Sequence, residues 1–401
     1  MNAPHKPSRR EFVATSAAGL FALARSSESS ISRQIDDADG QLLYVGTYTE
    51  KTGSEGVYIV RMDRASGKLR KAGSVNVGPN PSFLAIHRNG RVLYAVNEVE
   101  KFNGVTGGGV SAFAITSATG ALTRRNAEPS GGAGTCYVSV DHSGRAVMVA
   151  NYDAGSIAIL PAHADGSVGP ATQVIQHKGS GPNKERQATP HAHCIVADPS
   201  NRFALAADLG ADRVFLYHLD PAARTLRHVE GGDGILPAGS GPRHIVFHPT
   251  LPLVYVATEM GGSVARLRLD HEHGKLTFVD THSTLPAGWK GSNETADIHI
   301  SPSGRSLYVS NRGPNTIAVF SLAKSTGVPT LEQTISTGGD WPRNFSLDPS
   351  GRWLLVANER SNSIVVFARD QKTGHLTATN QRLAIPSPVC LRFHATPSKP
   401  V

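Results

Sequence analysis

The sequence predicts an all-β protein, a seven-bladed β-propeller of four-stranded antiparallel blades. One phrase recurs along the chain: a tight turn, an apolar strand that ends in Asn or a similar residue, and a second strand that closes near an aromatic residue. The clearest copies are SPSGRSLYVSNRGPNTIAVFSL, which begins at Ser301, and DPSGRWLLVANERSNSIVVFARD, which begins at Asp348. A repeat of roughly fifty residues built from short strands is typical of a propeller.

Fainter copies of the phrase fill the rest of the chain. They begin, in chain order, at Leu42, His87, Asp141, Asp198 and His248. The copy at Leu42, LLYVGTYT, lacks the strand that precedes the turn elsewhere. We therefore expect one closed ring rather than several unrelated domains.

The second repeat shows how one blade is built. SFLAIH and VLYAVN flank the turn HRNGR and predict two antiparallel strands, GVSAFAI (109–115) predicts the third, and LTRRNAE from Leu122 predicts the fourth. The C-terminal segment SPVCLRFH (387–394) resembles the missing first strand of the first repeat. Its pairing there would close the ring and remove the open sheet edges.

The N-terminal segment predicts export. Arg9 and Arg10 precede a modestly apolar stretch, and Ala22-Leu23-Ala24 offers a small-x-small cleavage site, so residues 1–24 read as a Tat-type signal peptide. Residues 25–40 are polar and predict a linker, and residues 41–401 form the propeller domain. We expect the Tat machinery as a partner and a periplasmic or secreted location.

Composition narrows the classes of function. No cluster of basic and aromatic residues predicts nucleic-acid binding, and no apolar run reaches the roughly 18 residues of a membrane span. The net charge of +8 favours an anionic small molecule as the partner, and we expect a monomer. Cys136, Cys194 and Cys390 are too scattered for a disulfide framework, and no Cys–His pair is evident from the spacing. We expect Cys136 and Cys194 to be small buried hydrophobic residues.

Antiparallel geometry places two sets of residues at one end of the blades. Eight residues before the turn glycine, or its equivalent, stand Ser82, Cys136, His193, Arg243, Ala296 and Arg343. One residue after the Asn-like end of the second strand stand Glu98, Tyr152, Leu209, Glu259, Arg312 and Glu359. Because these positions are equivalent but hold different polar residues, they predict a site around the mouth of the central channel.

The chain also resembles a known family. TPHAHCIVADPSNRFALAADLGADRVFLY, GPRHIVFHP…YVATEMGGSV and ADIHISPSGRSLYVSNRGPNTIAVF are similar to the seven-bladed propeller lactonases of the 6-phosphogluconolactonase type, a family that includes the fungal 3-carboxymuconate lactonizing enzyme. The resemblance covers roughly residues 41–394. It implies four catalytic positions, and all four belong to the two sets above: His193, Arg243, Glu259 and Arg312.

These residue types suit the opening of a lactone. A His can move a proton near neutral pH, and an Arg presents a planar fork of donors to a carboxylate, a phosphate or an oxyanion. We expect His193 or Glu259 to activate water while the arginines hold the acid side. The substrate-binding residues that we expect are His191, Tyr152, Glu98 and Arg343. His191 and His193 share a strand face but lack a third ligand, so we expect neither a metal nor another cofactor.

Two other functions remain open at this point. One is a cycloisomerase that closes a muconate-like diacid, and the other is a propeller that binds a ligand or protein without catalysis. Export also leaves open whether the lactone is phosphorylated, because 6-phosphogluconolactone is a cytoplasmic intermediate.

Overall fold

A computed structural model describes residues 40–394, which contain strands, turns and loops but no helix. The predicted signal peptide (1–24) lies outside the described residues, and so does the predicted linker (25–40) apart from Gly40. Within the described part of the chain there is no helix of the length and apolarity that a membrane crossing requires.

The strands follow the repeats of the sequence. In chain order, the first fifteen are β1 (Gln41–Thr47), β2 (Val57–Met62), β3 (Leu69–Val75), β4 (Leu84–Ile86), β5 (Val92–Asn97), β6 (Lys101–Phe102), β7 (Val105–Thr106), β8 (Gly109–Ile115), β9 (Leu122–Pro129), β10 (Thr135–Val140), β11 (Ala146–Asn151), β12 (Ser156–Pro161), β13 (Gln173–Gln176), β14 (Ala192–Ala197) and β15 (Phe203–Asp208). The others are β16 (Arg213–Asp220), β17 (Thr225–His228), β18 (Gly234–Ile235), β19 (Pro242–Phe247), β20 (Leu253–Thr258), β21 (Ser263–Asp270), β22 (Lys275–Ser283), β23 (Glu294–Ile300), β24 (Ser306–Arg312), β25 (Thr316–Leu322), β26 (Pro329–Ser336), β27 (Pro342–Leu347), β28 (Trp353–Asn358), β29 (Ser363–Arg369), β30 (Leu376–Ala384) and β31 (Pro388–Phe393).

Across residues 40–394 these strands form seven antiparallel blades, which confirms the predicted fold. Blade 1 has the order β3-β2-β1-β31, and blade 2 the order β4-β5-β8-β9. The other blades are consecutive: β10–β13, β14–β17 with the short β18 beside β16, β19–β22, β23–β26 and β27–β30. The hairpin β6–β7 projects from blade 2 as a separate sheet.

The C-terminal strand closes the ring, as the sequence predicts. β31 pairs antiparallel with β1, with Leu43 opposite Phe393 and Val45 opposite Leu391. The first strands of successive blades contact one another in the cycle β31, β4, β10, β14, β19, β23, β27 and back to β31. Residues far apart in sequence therefore meet around one axis.

Burial follows the position of a strand within its blade. The second strands β5, β11, β15 and β20 are buried along their whole length, so their sequences are nearly continuous apolar runs. The outermost strands β22 and β30 alternate between buried or half-buried and exposed positions, as expected for strands with one face in solvent.

Tyrosines link neighbouring blades. The buried hydroxyl of Tyr255 in blade 5 donates to the carbonyl oxygen of Gly327 in blade 6 at 2.6 Å, and Tyr308 in blade 6 donates to Gly374 in blade 7 at 2.8 Å. Each acceptor glycine has a positive φ, in the turn between the third and fourth strands of its blade. The Tyr in the middle of the second strand of these blades therefore has a structural role.

The Asn that ends the second strand fixes the chain just before it reaches the channel. The buried Asn97 side chain accepts a hydrogen bond from Ser111 Oγ at 2.8 Å and donates to the Pro79 carbonyl at 2.8 Å. In blade 3 the Asn151 Oδ1 accepts from Thr135 Oγ1 at 2.8 Å. The residue after each Asn is thereby held at the axial end of its blade.

Candidate active site

A cavity of about 370 Å³ lies at the end of the blades where the two sets of equivalent positions meet. It is lined by Tyr48, Glu98, Cys136, Tyr152, Asp153, Arg186, His193, Glu259, Glu294, Arg312 and Arg343. These residues come from strands or connections of almost every blade, so the site exists only because the ring closes.

Glu259 is the centre of an arginine cluster on one wall. Its Oε2 accepts hydrogen bonds from Arg243 Nε at 2.9 Å and from Arg312 Nη2 at 2.7 Å, and its Oε1 accepts one from Arg186 Nη2 at 2.5 Å. Burial alone would raise the pKa of Glu259, but the charges of Arg312 and Arg243 hold it well below its usual value. Glu259 is therefore a carboxylate with both oxygens occupied.

Two of the arginines are buried with the carboxylate. Arg243 also donates through Nη1 to the carbonyl oxygen of Ala296 at 2.7 Å, and burial together with the charge of Arg312 lowers its pKa to about 10. Arg312 donates through Nε to the carbonyl of Glu294 at 3.0 Å, and its Nη1 lies 3.1 Å from the carboxylate of the same residue. Arg186 comes from the long connection between β13 and β14 and is half-buried.

His193 is buried beside this cluster and is neutral at pH 7. Its burial and the charge of Arg243 lower its pKa well below 6.5. Its ring lies edge-on to Tyr152, with ring centroids 5.3 Å apart, and edge-on to His244 at 5.4 Å. Within residues 40–394 it forms no ion pair, and its lowered pKa means that the imidazole is unprotonated at neutral pH.

The structure brings a cysteine to His193, contrary to the expectation that no Cys–His pair is present. Cys136 Sγ lies 3.8 Å from His193 Nδ1, and both residues line the cavity. The spacing could not reveal this contact because the two residues belong to different blades. Burial raises the pKa of the Cys136 thiol well above its usual value, so it remains a thiol rather than a nucleophilic thiolate.

A buried polar chain lies beneath His193. His244 Nδ1 lies 2.7 Å from Asp297 Oδ1, and His299 Nε2 lies 3.0 Å from Asp297 Oδ2. Burial and the charge of Arg243 lower the pKa of His244 to about 3, so this imidazole is neutral and is held in one orientation by the carboxylate.

Blades 1, 2 and 7 contribute a second group of polar residues to the cavity. Glu98 accepts hydrogen bonds from the hydroxyl groups of Ser82 and of Tyr48, the latter at 3.1 Å to both carboxylate oxygens. Burial raises the pKa of Glu98 above its usual value. The guanidinium of Arg343 lies 5.3 Å from the centre of the Tyr48 ring.

The structure places most of the predicted site residues in this cavity. His193, Glu259, Arg312, Tyr152, Glu98 and Arg343 line it. Arg243 lies behind the wall, bonded to Glu259, and His191 lies behind Tyr152, with the two rings stacked at 4.6 Å.

Sequence reasoning missed Tyr48, Arg186 and Glu294. Tyr48 follows Thr47, the end of β1, and thus occupies the same position as Glu98 in the next repeat. The repeat rule would have found it in the incomplete first copy. Glu294 pairs with Arg312 across β23 and β24, whereas Arg186 lies in a connection that no repeat predicts.

The spacing of His191 and His193 is the feature of the sequence that would suit a metal ion. Among residues 40–394, no group of three or more His, Cys, Asp or Glu side chains has the arrangement needed to hold a metal ion. The Nδ1 of His191 lies 3.0 Å from the carbonyl oxygen of Tyr152.

Comparison with known proteins agrees with this architecture. Residues 42–393 match the family described as Lactonase, 7-bladed beta-propeller. The chain is 36% identical to a 6-phosphogluconolactonase of Bacillus subtilis. The aligned region has 350 residues, which is 87% of this chain and 97% of the relative. A 6-phosphogluconolactonase of Formosa agariphila is 35% identical over 308 residues, which is 76% of this chain and 86% of the relative. The solved structure of the periplasmic gluconolactonase of Pseudomonas aeruginosa has a TM-score of 0.83 and 35% identity, covering 88% of this chain and 99% of that one.

Proposed function

Because the chain belongs to the seven-bladed β-propeller lactonase family and is a lactone hydrolase, we propose that it opens a sugar or organic-acid lactone in the cavity around His193. The observation that carries the proposal is the joint position of His193 and the arginine-bound Glu259 on one cavity wall. A neutral base and a fixed positive field are what addition of water to a lactone carbonyl requires.

His193 is the base in this proposal. An imidazole whose pKa is lowered is unprotonated at neutral pH and can accept a proton from water. Glu259 is unsuited to that step, because its pKa is held well below its usual value and both oxygens already accept hydrogen bonds. Glu259 instead orients the arginines.

The bonds and protons of the reaction balance with one water molecule. His193 takes a proton from water as the water oxygen bonds to the lactone carbonyl carbon, and negative charge develops on the carbonyl oxygen. The positive field of Arg312 and Arg186 stabilises that charge. The bond to the ring oxygen then breaks, protonated His193 gives its proton to that oxygen and becomes neutral again, and the product is a hydroxy acid whose carboxyl group ionises at neutral pH.

Glu98, Tyr48 and Tyr152 contribute to substrate binding in this proposal. A sugar lactone presents several hydroxyl groups, and carboxylate and phenol oxygens on the cavity wall are suited to accept or donate hydrogen bonds to them. Arg243 supports Glu259 from behind the wall, and His191 supports Tyr152 by stacking.

A pH-stat screen of sugar and aromatic-acid lactones tests the function, with the His193→Gln variant as the control. We expect acid release by the wild-type chain and a loss of about 10²- to 10⁴-fold in kcat for the variant, the usual contribution of a general base. Full activity of His193→Gln contradicts the assignment of the base. Conversion of a muconate in a spectrophotometric assay without lactone hydrolysis would identify a cycloisomerase, and no turnover at all would identify a binding protein.

We also propose that the enzyme is exported by the Tat machinery and acts in the periplasm or outside the cell as a monomer. The twin arginine at Arg9-Arg10 and the similarity to the periplasmic gluconolactonase of P. aeruginosa support the location. Fusion of residues 1–40 to a reporter should give export that stops when Arg9 and Arg10 are both changed to Lys. The molar mass of residues 41–401, measured by light scattering, tests whether this segment is a stable domain and whether it is a monomer.

A further inference from the structure

The arginines of the cavity differ in what they bind. Arg243, Arg312 and Arg186 all donate hydrogen bonds to Glu259, and Arg312 also binds the carbonyl and carboxylate of Glu294. These three guanidinium groups are committed to other protein atoms before a substrate enters. They provide a positive field, but each already has a carboxylate within 4.0 Å that competes with an anionic ligand.

Arg343 is the exception. Over residues 40–394 its guanidinium makes no hydrogen bond and has no carboxylate within 4.0 Å, although it lines the cavity and is only half-buried. Its contact is with the ring of Tyr48, 5.3 Å from the centroid. A cation–π contact of this kind leaves the N–H groups of the guanidinium unused.

The carboxylates near Arg343, those of Glu98 and Glu359, do not form an ion pair with it. Glu98 is bonded to Ser82 and Tyr48, and Glu359 Oε2 is buried with no partner in the described part of the chain. The charges of both carboxylates act on Arg343, yet neither residue occupies its donor fork. A half-buried cation that lines a cavity and whose donors have no protein acceptor is positioned to bind a ligand that supplies one.

We propose that Arg343 binds an anionic substituent of the substrate, a phosphate monoester or a carboxylate remote from the lactone carbonyl. This inference rests on the proposed function and specifies its substrate class. Both groups present two or more oxygens that match the fork of a guanidinium. Arg343, Tyr48 and Glu98 belong to blades 7, 1 and 2, whereas His193 and Glu259 belong to blades 4 and 5, so the anionic group and the reacting carbonyl bind at different blades around one cavity.

Kinetics with three lactones test this assignment. The substrates are 6-phosphoglucono-1,5-lactone, glucarolactone and the neutral glucono-1,5-lactone, and the variants are Arg343→Gln and Arg343→Lys. For Arg343→Gln we expect the KM of the anionic lactone that is the substrate to increase by about 10- to 100-fold, because a hydrogen bond to a charged group is lost. The KM of the neutral lactone should change by less than about two-fold. Arg343→Lys keeps the charge without the fork and should restore part of the loss.

The arms of the experiment separate the two anions. A loss restricted to the phosphorylated lactone assigns a phosphate, and a loss restricted to glucarolactone assigns a carboxylate. Arg202 provides a matched control, because its guanidinium lies 5.7 Å from the Phe203 ring but outside the cavity. Arg202→Gln should leave all three KM values unchanged.

Binding measured without turnover distinguishes failure of this inference from failure of the proposed function. Calorimetry with glucose 6-phosphate, glucuronate and glucose should show tighter binding of an anionic sugar by the wild type, weakened in Arg343→Gln. If no lactone is hydrolysed but this pattern holds, the proposed function is wrong and the role of Arg343 stands. If lactones are hydrolysed but Arg343→Gln affects neutral and anionic ligands equally, Arg343 is not the anion-binding residue. Should Arg343→Gln fail to fold, the same comparison with Arg343→Lys decides.

Discussion

Replacement of Glu259 by Gln separates an organising carboxylate from a catalytic base. The carboxylate accepts hydrogen bonds from Arg243 at 2.9 Å, Arg312 at 2.7 Å and Arg186 at 2.5 Å. The side chains of Arg243 and Arg312 are only 2% and 3% exposed, so without Glu259 two buried cations would face each other. Breaking a buried ion pair costs about 3–5 kcal/mol, and because the Gln oxygen still accepts one hydrogen bond we expect about 3 kcal/mol.

This loss should be visible in thermal unfolding. The entropy of unfolding is about 2.1 cal/mol/K per residue, so for residues 41–401 one kcal/mol shifts the Tm by roughly 1.3 °C and we expect a decrease of about 4 °C. Differential scanning fluorimetry of residues 41–401 is the assay. Glu294→Gln is the matched control: this carboxylate also contacts Arg312, at 3.1 Å, but is 35% exposed, so its loss should cost less than about 1 kcal/mol.

Activity completes the comparison. The Glu259→Gln variant should have a lower Tm and should lose lactone hydrolysis. The His193→Gln variant should lose hydrolysis while its Tm stays nearly unchanged. If Glu259→Gln kept the wild-type Tm and KM while kcat fell more than about 10³-fold, Glu259 would be the base and our assignment would be refuted.

Three further predictions follow from the same geometry. Because the base must be neutral and the pKa of His193 lies well below 6.5, kcat/KM should stay constant as the pH falls from 8 to 6.5, and an inflection in that range would argue against His193. Tyr255→Phe removes the 2.6 Å bond to the Gly327 carbonyl and should cost about 1–3 kcal/mol, measured as a lower Tm with unchanged kcat. Burial opposes the lowering of the Asp198 pKa, but hydrogen bonds from Ser200 and the Phe203 amide lower it below 3.8, so this stabilisation is present above the unfolded pKa and is lost as the pH falls through the folded value. Asp198→Asn should therefore lower the Tm at pH 7, and its difference from the wild type should shrink as the pH falls below 3.8.

The fold could be predicted from the sequence because the repeat indicates both the order of the strands in a blade and the strand that closes the ring. The strand predicted at 109–115 is β8, and the segment predicted to close the ring contains β31. The burial pattern explains this success: inner strands are apolar on both faces, so each copy of the phrase remains recognisable while its surface residues change.

The site could be predicted only where it follows the repeat. His193 and Glu259 occupy equivalent positions of two blades, and counting places them at the same end. Arg186 could not be found in this way, since it reaches the cavity from an irregular connection and its position depends on the ion pair with Glu259. The partner of an ion pair in a loop is set by tertiary packing rather than by local pattern.

In several repeats, the residue that fixes the end of the second strand is followed directly by a residue that lines the cavity. At the end of β24 the buried Asn311 donates to the Thr284 carbonyl at 2.7 Å and fixes the strand, and the next residue, Arg312, reaches Glu259. In blade 5 Thr258 ends the strand and binds the Ser263 carbonyl at 2.8 Å, and Glu259 follows. Substitution of Asn311 or Thr258 should lower stability, because each loses a hydrogen bond to a backbone carbonyl. Substitution one residue later changes the charge on the cavity wall, and its effect differs from blade to blade because Glu259 has three arginine partners, whereas the Oε2 of Glu359, at the equivalent position of blade 7, has no hydrogen-bond partner among residues 40–394.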